Sequence, residues 1–231
     1  MFYIFLIIVL LGIFFLPQWW VQRVMAHHNK TINALPGTGG ELAQHLIEQY
    51  HLPVSLEVIP PEITEQGDHY DPQSKTVRLS SLYFNGKSLT AIAIAAHEVG
   101  HAIQDFQKDE LLRLRGKMVI ASQGLQKLGA GIVLIAPIMT VLAHSPIIGE
   151  IMALIGLLSI SSSLLVHIIS LPVEFDASFN KALPLLKEGH YITPVDLMAV
   201  RQVLLAAALT YVATALSGLL NIWRWVAILK R

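Results

Sequence analysis

The residues best suited to chemistry are His97, Glu98 and His101, in the run Ala91-Ile92-Ala93-Ile94-Ala95-Ala96-His97-Glu98-Val99-Gly100-His101-Ala102-Ile103-Gln104-Asp105. They spell H-E-x-x-H among good helix formers, and Ser88 stands where a helix N-cap is expected. On a helix the two histidines lie one turn apart on one face, so both imidazoles can reach a single ion. Glu98, beside the first of them, can take a proton from a water on that ion without binding the ion. Ten His and ten Glu among 231 residues give about 0.02 matches to this pattern by chance. The plainer alternative is a helix with two surface histidines and an ion-paired Glu. The Ala/Ile flanks speak against it, because they imply burial, where unpaired polar groups are costly.

Around that motif lies an apolar chain. Hydrophobic residues make up 54% and charged residues 14%, with a mean hydropathy of +0.57. A soluble domain carries about 25% charged residues, so the composition points to a membrane protein. The formal net charge is zero, which gives no reason to expect a nucleic-acid partner. The absence of cysteine excludes disulfides, thiolate ligands and thiol nucleophiles, and any transition-metal site must use His and carboxylate.

The elements that must position the motif follow in order. Met1 to Leu16 is an unbroken apolar run closed by Pro17 and the pair Trp19-Trp20, which suits a membrane interface. Val24-Met25-Ala26 could pass as a signal-peptide cleavage site. No Lys or Arg precedes the run, however, and it is long for such a signal, so a retained anchor is expected. Glu41 to Tyr50 reads as a short amphipathic helix. Val54 to Ile59 and Thr76 to Ser80 read as strands, and Asp68-His69-Tyr70-Asp71-Pro72 as a turn between them. Lys108 to Lys127, with five Lys/Arg, reads as an amphipathic helix approaching the membrane surface. Three further apolar runs follow: Leu128 to Ala143, Ile147 to Leu171, and about Val203 to Leu229. The last carries Trp223, Arg224 and Trp225 at a presumed interface.

Topology then bears on the missing ligand. If 128–143 and 147–171 form a hairpin across the bilayer, the chain after Leu171 returns to the side of His97 and His101. There it begins Leu171-Pro172-Val173-Glu174-Phe175-Asp176-Ala177-Ser178, with Pro172 suited to the first turn of a new helix. Zinc held by two His needs a third protein ligand and leaves a fourth position for water. Glu174 is the choice; its alternative role is to stabilise a helix N-terminus. Glu188 and Asp196 lie farther from the return, and Glu150 belongs to the opposite surface. With four spans, segments 17–127 and 172–202 hold thirteen Lys/Arg and the other side only Arg224, Lys230 and Arg231. This favours a cytoplasmic catalytic domain.

The segments DHYDP (68–72), VRLS (77–80), AAHEVGHAIQ (95–104) and LPVEFDAS (171–178) together resemble the YugP family of membrane zinc metallopeptidases. More distantly, the architecture is similar to HtpX-like and CAAX-prenyl-protease enzymes. In those, the ligand Glu is followed four residues later by an Asp; here Ser178 stands in that place, and an acid appears at Asp176. The resemblance supports Glu174 as ligand. A ligand histidine usually gives its second nitrogen hydrogen to a carboxylate or carbonyl, and Asp176 and Asp105 are candidates, each with an ordinary solvated or capping role as the alternative. His69, Tyr70, His190, Tyr191 and Arg201 are eligible to face a developing oxyanion, and His69 is a candidate for the cleft. Intramembrane His167 could relay protons, but it lies near enough to the end of its run to reach the interface.

The expected protein is thus an α-helical membrane protein of about four transmembrane helices with a small α+β zincin-like catalytic domain. Its parts are an anchor (1–22), a catalytic domain (30–127), a transmembrane hairpin (128–171), a helix with the third ligand (172–202) and a last span (203–231). It is expected to be a multi-pass cell-membrane enzyme that hydrolyses peptide bonds of membrane or membrane-proximal proteins. One Zn2+ would sit on His97, His101 and Glu174, with Glu98 as general base. Its partners would be a protein or peptide substrate and the lipid bilayer. A catalytically silent metal-binding scaffold is the main alternative. A transporter is disfavoured by the few charges in the runs. The motif lies outside any run long enough to span, so cleavage is expected at or near the membrane surface.

Overall fold

Ser88 begins the element that matters most. Its extended backbone and its Oγ, which accepts from the Ala91 N–H at 3.1 Å, cap a helix from Leu89 to Phe106. A computed structural model describes residues 2–32, 34–60 and 67–229. Its helices are α1 (Phe2–His27), α2 (Gly39–Gln49), α3 (Ser81–Phe84), α4 (Leu89–Phe106), α5 (Glu110–Leu142), α6 (Pro146–Ile160), α7 (Ser162–Phe175), α8 (Leu183–Glu188) and α9 (Leu197–Leu229). Strands β1 (Ser55–Ile59), β2 (His69–Asp71) and β3 (Thr76–Ser80) precede α3, and a π-helical segment, Asp176–Ala182, joins α7 to α8.

The chain divides into two compact units. One comprises residues 18–112 and 172–210 and contains the sheet, α4 and the π-helical segment. A reciprocal capping box between Thr38 and Glu41 starts α2, satisfying two helix N–H groups that would otherwise lack partners. β3 is the central strand, parallel to β1 and antiparallel to β2. Leu42 and Leu46 of α2, Val77 and Leu79 of β3, Ile92, Ala96 and Val99 of α4, and Val200, Val203 and Leu204 of α9 meet in one core. Every residue of α4 from Leu89 to Gln104 is buried. The end of α1 joins this unit: Val21 is buried, and the Met25 carbonyl accepts from Thr90 Oγ1 at 2.9 Å.

The stretch read as a turn at 68–72 is a strand over His69–Asp71, with the reversal moved to residues 72–75. Burial of Tyr70 and its pairing with Val77 draw it into the sheet. Asp71 then makes the turn, its Oδ1 accepting from the Gln73 N–H at 2.9 Å.

The other unit comprises residues 1–17, 113–171 and 211–231. Among the described residues, three helices are long and apolar enough to cross a membrane: Glu110–Leu142, Pro146–Glu188 and Leu197–Leu216. The amphipathic stretch and the apolar run expected as separate pieces on either side of Leu128 form one helix, α5, 33 residues long. The side chains of α1 up to Leu11, Val9 apart, and those of Trp223, Arg224 and Trp225 lie outside the described residues, as does Pro61. Pro172 does not open a new helix as expected. It sits inside α7, which continues into the π-helical segment. The ring removes one backbone donor, a loss that helices of this kind absorb through neighbouring groups and local π adjustments.

Candidate metal centre

α4 sets His97 and His101 one turn apart, their rings edge to face at 4.7 Å. The end of α7 brings Glu174 against both, its Oε2 lying 3.1 Å from His97 Nε2 and 3.2 Å from His101 Nε2. All three side chains are buried, and their ligand-type atoms lie within 4.8 Å of one another. Among the described residues this is the group of His and acidic side chains able to hold a metal ion. The close approach has a cause in Gly100. A Cβ there would stand 2.8 Å from the Ala177 carbonyl oxygen, so only glycine lets the π-helical backbone rest on α4.

The far nitrogens of both rings are engaged. Ser178 Oγ donates to the Leu204 carbonyl at 3.2 Å, so toward His97 Nδ1, 3.0 Å away, it is an acceptor. Gln104 Oε1 accepts from His101 Nδ1 at 2.8 Å. With hydrogens on Nδ1, each neutral ring turns an Nε2 lone pair toward the Glu174 carboxylate. Three acceptors converging in a buried site repel one another unless a cation lies among them. Two imidazoles and one carboxylate are the donor set zinc takes in catalytic sites, so the residues fit the metal.

Glu98 is buried next to this group, and its Oε2 accepts from the Tyr70 N–H of β2 at 2.9 Å. Burial pushes its carboxyl up to about 7, against the lowering pull of His97 and with the added push of Glu174. A carboxyl poised near neutrality can both take and return a proton.

The other candidates are placed as follows. Asp176 does not touch a ring; its Oδ2 accepts from Gln104 Nε2 at 2.8 Å, one step behind His101. Asp105 lies elsewhere on α4, accepting from Tyr70 Oη at 2.6 Å and paired with Lys75 Nζ at 2.5 Å. The imidazole contacts considered for these two acids are made by Ser178 and Gln104. An oxygen acceptor suffices for an imidazole N–H, and the spacing signal was there: Gln104 follows His101 by three residues, Ser178 follows Glu174 by four. His69 is half-buried on β2, with Nδ1 2.7 Å from the Gly67 carbonyl. Tyr191 Oη donates to Gln49, and Arg201 and His190 are exposed. His167 stands beside the Tyr211 ring in the apolar unit.

Over residues 3–230 the chain matches the model of a family described as "Putative neutral zinc metallopeptidase". It is similar to "Putative membrane protease YugP" of Bacillus subtilis (strain 168), being 34% identical over 235 residues that span 99% of this chain and 96% of that protein. No solved structure matches it. A match of that extent, on a chain with three apolar helices and a buried His/Glu group fit for zinc, means that the chain belongs to this family of neutral zinc metallopeptidases.

Proposed function

We propose that the protein is a membrane-embedded zinc endopeptidase that cleaves membrane or membrane-proximal proteins at the bilayer surface. One observation carries the reading: His97, His101 and Glu174 converge from two separate segments beside a buried Glu98. Those three side chains would hold one zinc ion, which would supply the Lewis acidity for attack by water on a peptide carbonyl. Glu98 keeps one carboxylate oxygen on the Tyr70 amide. With the other it takes the proton of the attacking water and passes it to the leaving amine. The β2 edge lies beside that carboxylate, and an extended peptide pairing along it would bring a carbonyl to the site. The same reading has four spans, the first in 1–22, around a zincin-like domain facing the cytoplasm, as the thirteen Lys/Arg of segments 17–127 and 172–202 favour.

The test is cleavage of casein and of membrane-protein fragments by purified protein in detergent, with and without a chelator, alongside metal analysis. Glu98→Gln should keep its zinc and lose hydrolysis. Hydrolysis by a zinc-loaded Glu98→Gln would sink the base assignment, and zinc without any cleavage by the wild type would indicate a silent scaffold. Because the chain has no cysteine, a single Ser74→Cys variant labelled from either side of sealed vesicles reads the orientation directly.

A further inference from the structure

Gln104 is 1% exposed, and both hydrogens of its side-chain amide are committed. Oε1 accepts from His101 Nδ1 at 2.8 Å, while Nε2 gives one hydrogen to the Val173 carbonyl at 2.9 Å and the other to Asp176 Oδ2 at 2.8 Å. The amide fits only one way round. Turned over, its oxygen would meet a carbonyl and a carboxylate, neither with a hydrogen to offer. His101 therefore always faces an oxygen, and a neutral ring facing an oxygen keeps its hydrogen on Nδ1. The Nε2 lone pair is then left toward Glu174, 3.2 Å away. The groups that impose this order, Val173 and Asp176, lie one residue before and two residues after Glu174.

We propose that Gln104 is the positioning residue of the metal site: Val173 and Asp176 orient its amide, which sets the His101 tautomer and ties α4 to the segment carrying Glu174. The proposal rests on the zinc reading above and deepens it. It also explains why an amide serves here instead of an acid. A second carboxylate would face Asp176 and would have no hydrogens for Val173. Asp176 is half-buried, its Oδ1 steadied by Asn180 Nδ2 at 2.9 Å, and its hydrogen bonds reach His101 by way of Gln104.

A role in packing and a role in positioning predict opposite orders among variants. Gln104→Met keeps the length and volume of the side chain and removes all three hydrogen bonds. The double variant Gln104→Glu with Asp176→Asn exchanges donor and acceptor across that pair and keeps an oxygen for His101, giving up the bond to the Val173 carbonyl. The full-length protein in detergent, stripped of metal, is titrated with zinc against a chromophoric chelator. Cobalt(II) is then substituted, and its visible absorption reports on histidine ligation. Gln104→Met should bind zinc about 10–100-fold more weakly than the wild type and show an altered cobalt spectrum. The double variant, short of only the Val173 bond, should bind zinc more tightly than Gln104→Met and within about tenfold of the wild type, with the wild-type cobalt spectrum. Equal zinc affinity in Gln104→Met and wild type, or a double variant as weak as Gln104→Met, would overturn the proposal. Should metal-free Gln104→Met fail to show a melting transition, the double variant decides alone: binding within about tenfold of the wild type supports the proposal, and a larger loss overturns it. A wild-type protein that takes up neither metal overturns the zinc reading and this proposal together, a result distinct from the others.

Discussion

α4 and α5 are both rich in apolar residues, yet they meet different surroundings. From Leu89 to Gln104, α4 is buried on all sides by protein. Along α5, Leu128 is 67% exposed, Leu134 71% and Val141 73%. An apolar side chain left bare over such a length calls for lipid, since each would be costly against water. The contrast also governs where polar groups can stand. Within α4 every buried polar group has a named partner: His97 has Ser178, His101 has Gln104, and Glu98 has the Tyr70 amide. In α7 a buried polar group is satisfied locally, as Ser170 Oγ is by the carbonyl of Val166 in its own helix. Protein-wrapped helices can thus carry chemistry because the surrounding chain supplies partners, whereas the buried hydroxyls of the apolar helices pair with a carbonyl of their own helix or with one another, as Ser122 of α5 does with Ser162 of α7 at 2.9 Å.

Paired substitutions sharpen or break that contrast. The largest effect belongs to the two glutamates. Glu98→Gln should lower the rate of peptide hydrolysis by about 10²–10⁴-fold with zinc retained, while Glu150→Gln, at an exposed site on α6, should leave the rate unchanged in the same assay. Next come the glycines. A Cβ at Gly100 would press on the Ala177 backbone, whereas Gly124 on α5 has nothing within 4 Å. Gly100→Ala should destabilise by about 1–3 kcal/mol and loosen zinc binding; Gly124→Ala should stabilise its helix by up to about 1 kcal/mol. Thermal melting in detergent reads both, and equal effects at the two sites would erase the distinction.

The serines follow. Ser178→Ala should weaken zinc binding by about tenfold, and Ser170→Ala should leave it alone, because that hydroxyl donates to a carbonyl of its own helix. The last effect concerns pH. The Glu98 carboxyl is raised from 4.5 to about 7, so its favourable contribution to the metal-free fold stands below pH 4.5 and is lost as pH rises through 7. Metal-free Glu98→Gln should therefore melt above metal-free wild type at pH 8, and the gap should close on acidification below about pH 4.5. A gap that widens toward acid would mean the carboxyl is better accommodated charged than neutral.

Much of the centre was legible because helical spacing is a strict ruler. The interval from His97 to His101 announced a shared face, and the order of the apolar runs put Glu174 on the returning chain, where it does meet both rings. What escaped reading depends on tertiary context. A three-residue strand such as His69–Asp71 carries too little pattern to stand out, and the burial of Tyr70 decides its state. Pro172 looked like a helix start because proline favours that position, yet α7 runs through it into a π-helical segment that no local residue preference signals. The partners of the imidazoles were sought among acids, whereas an amide and a hydroxyl fill those places. The pattern H-E-x-x-H asks for no glycine at position 100, and the reason for one, the Ala177 carbonyl lying against α4, is tertiary.

The unit that holds the zinc-type residues is assembled from two stretches, 18–112 and 172–210, with 113–171 between them in sequence. During synthesis, then, the helix with both imidazoles leaves the ribosome well before Glu174 exists. A chain halted midway holds His97 and His101 without Glu174, and an incomplete core. The group of His97, His101 and Glu174 therefore cannot close until residues 113–171 have been made, and the order of the chain itself delays its completion.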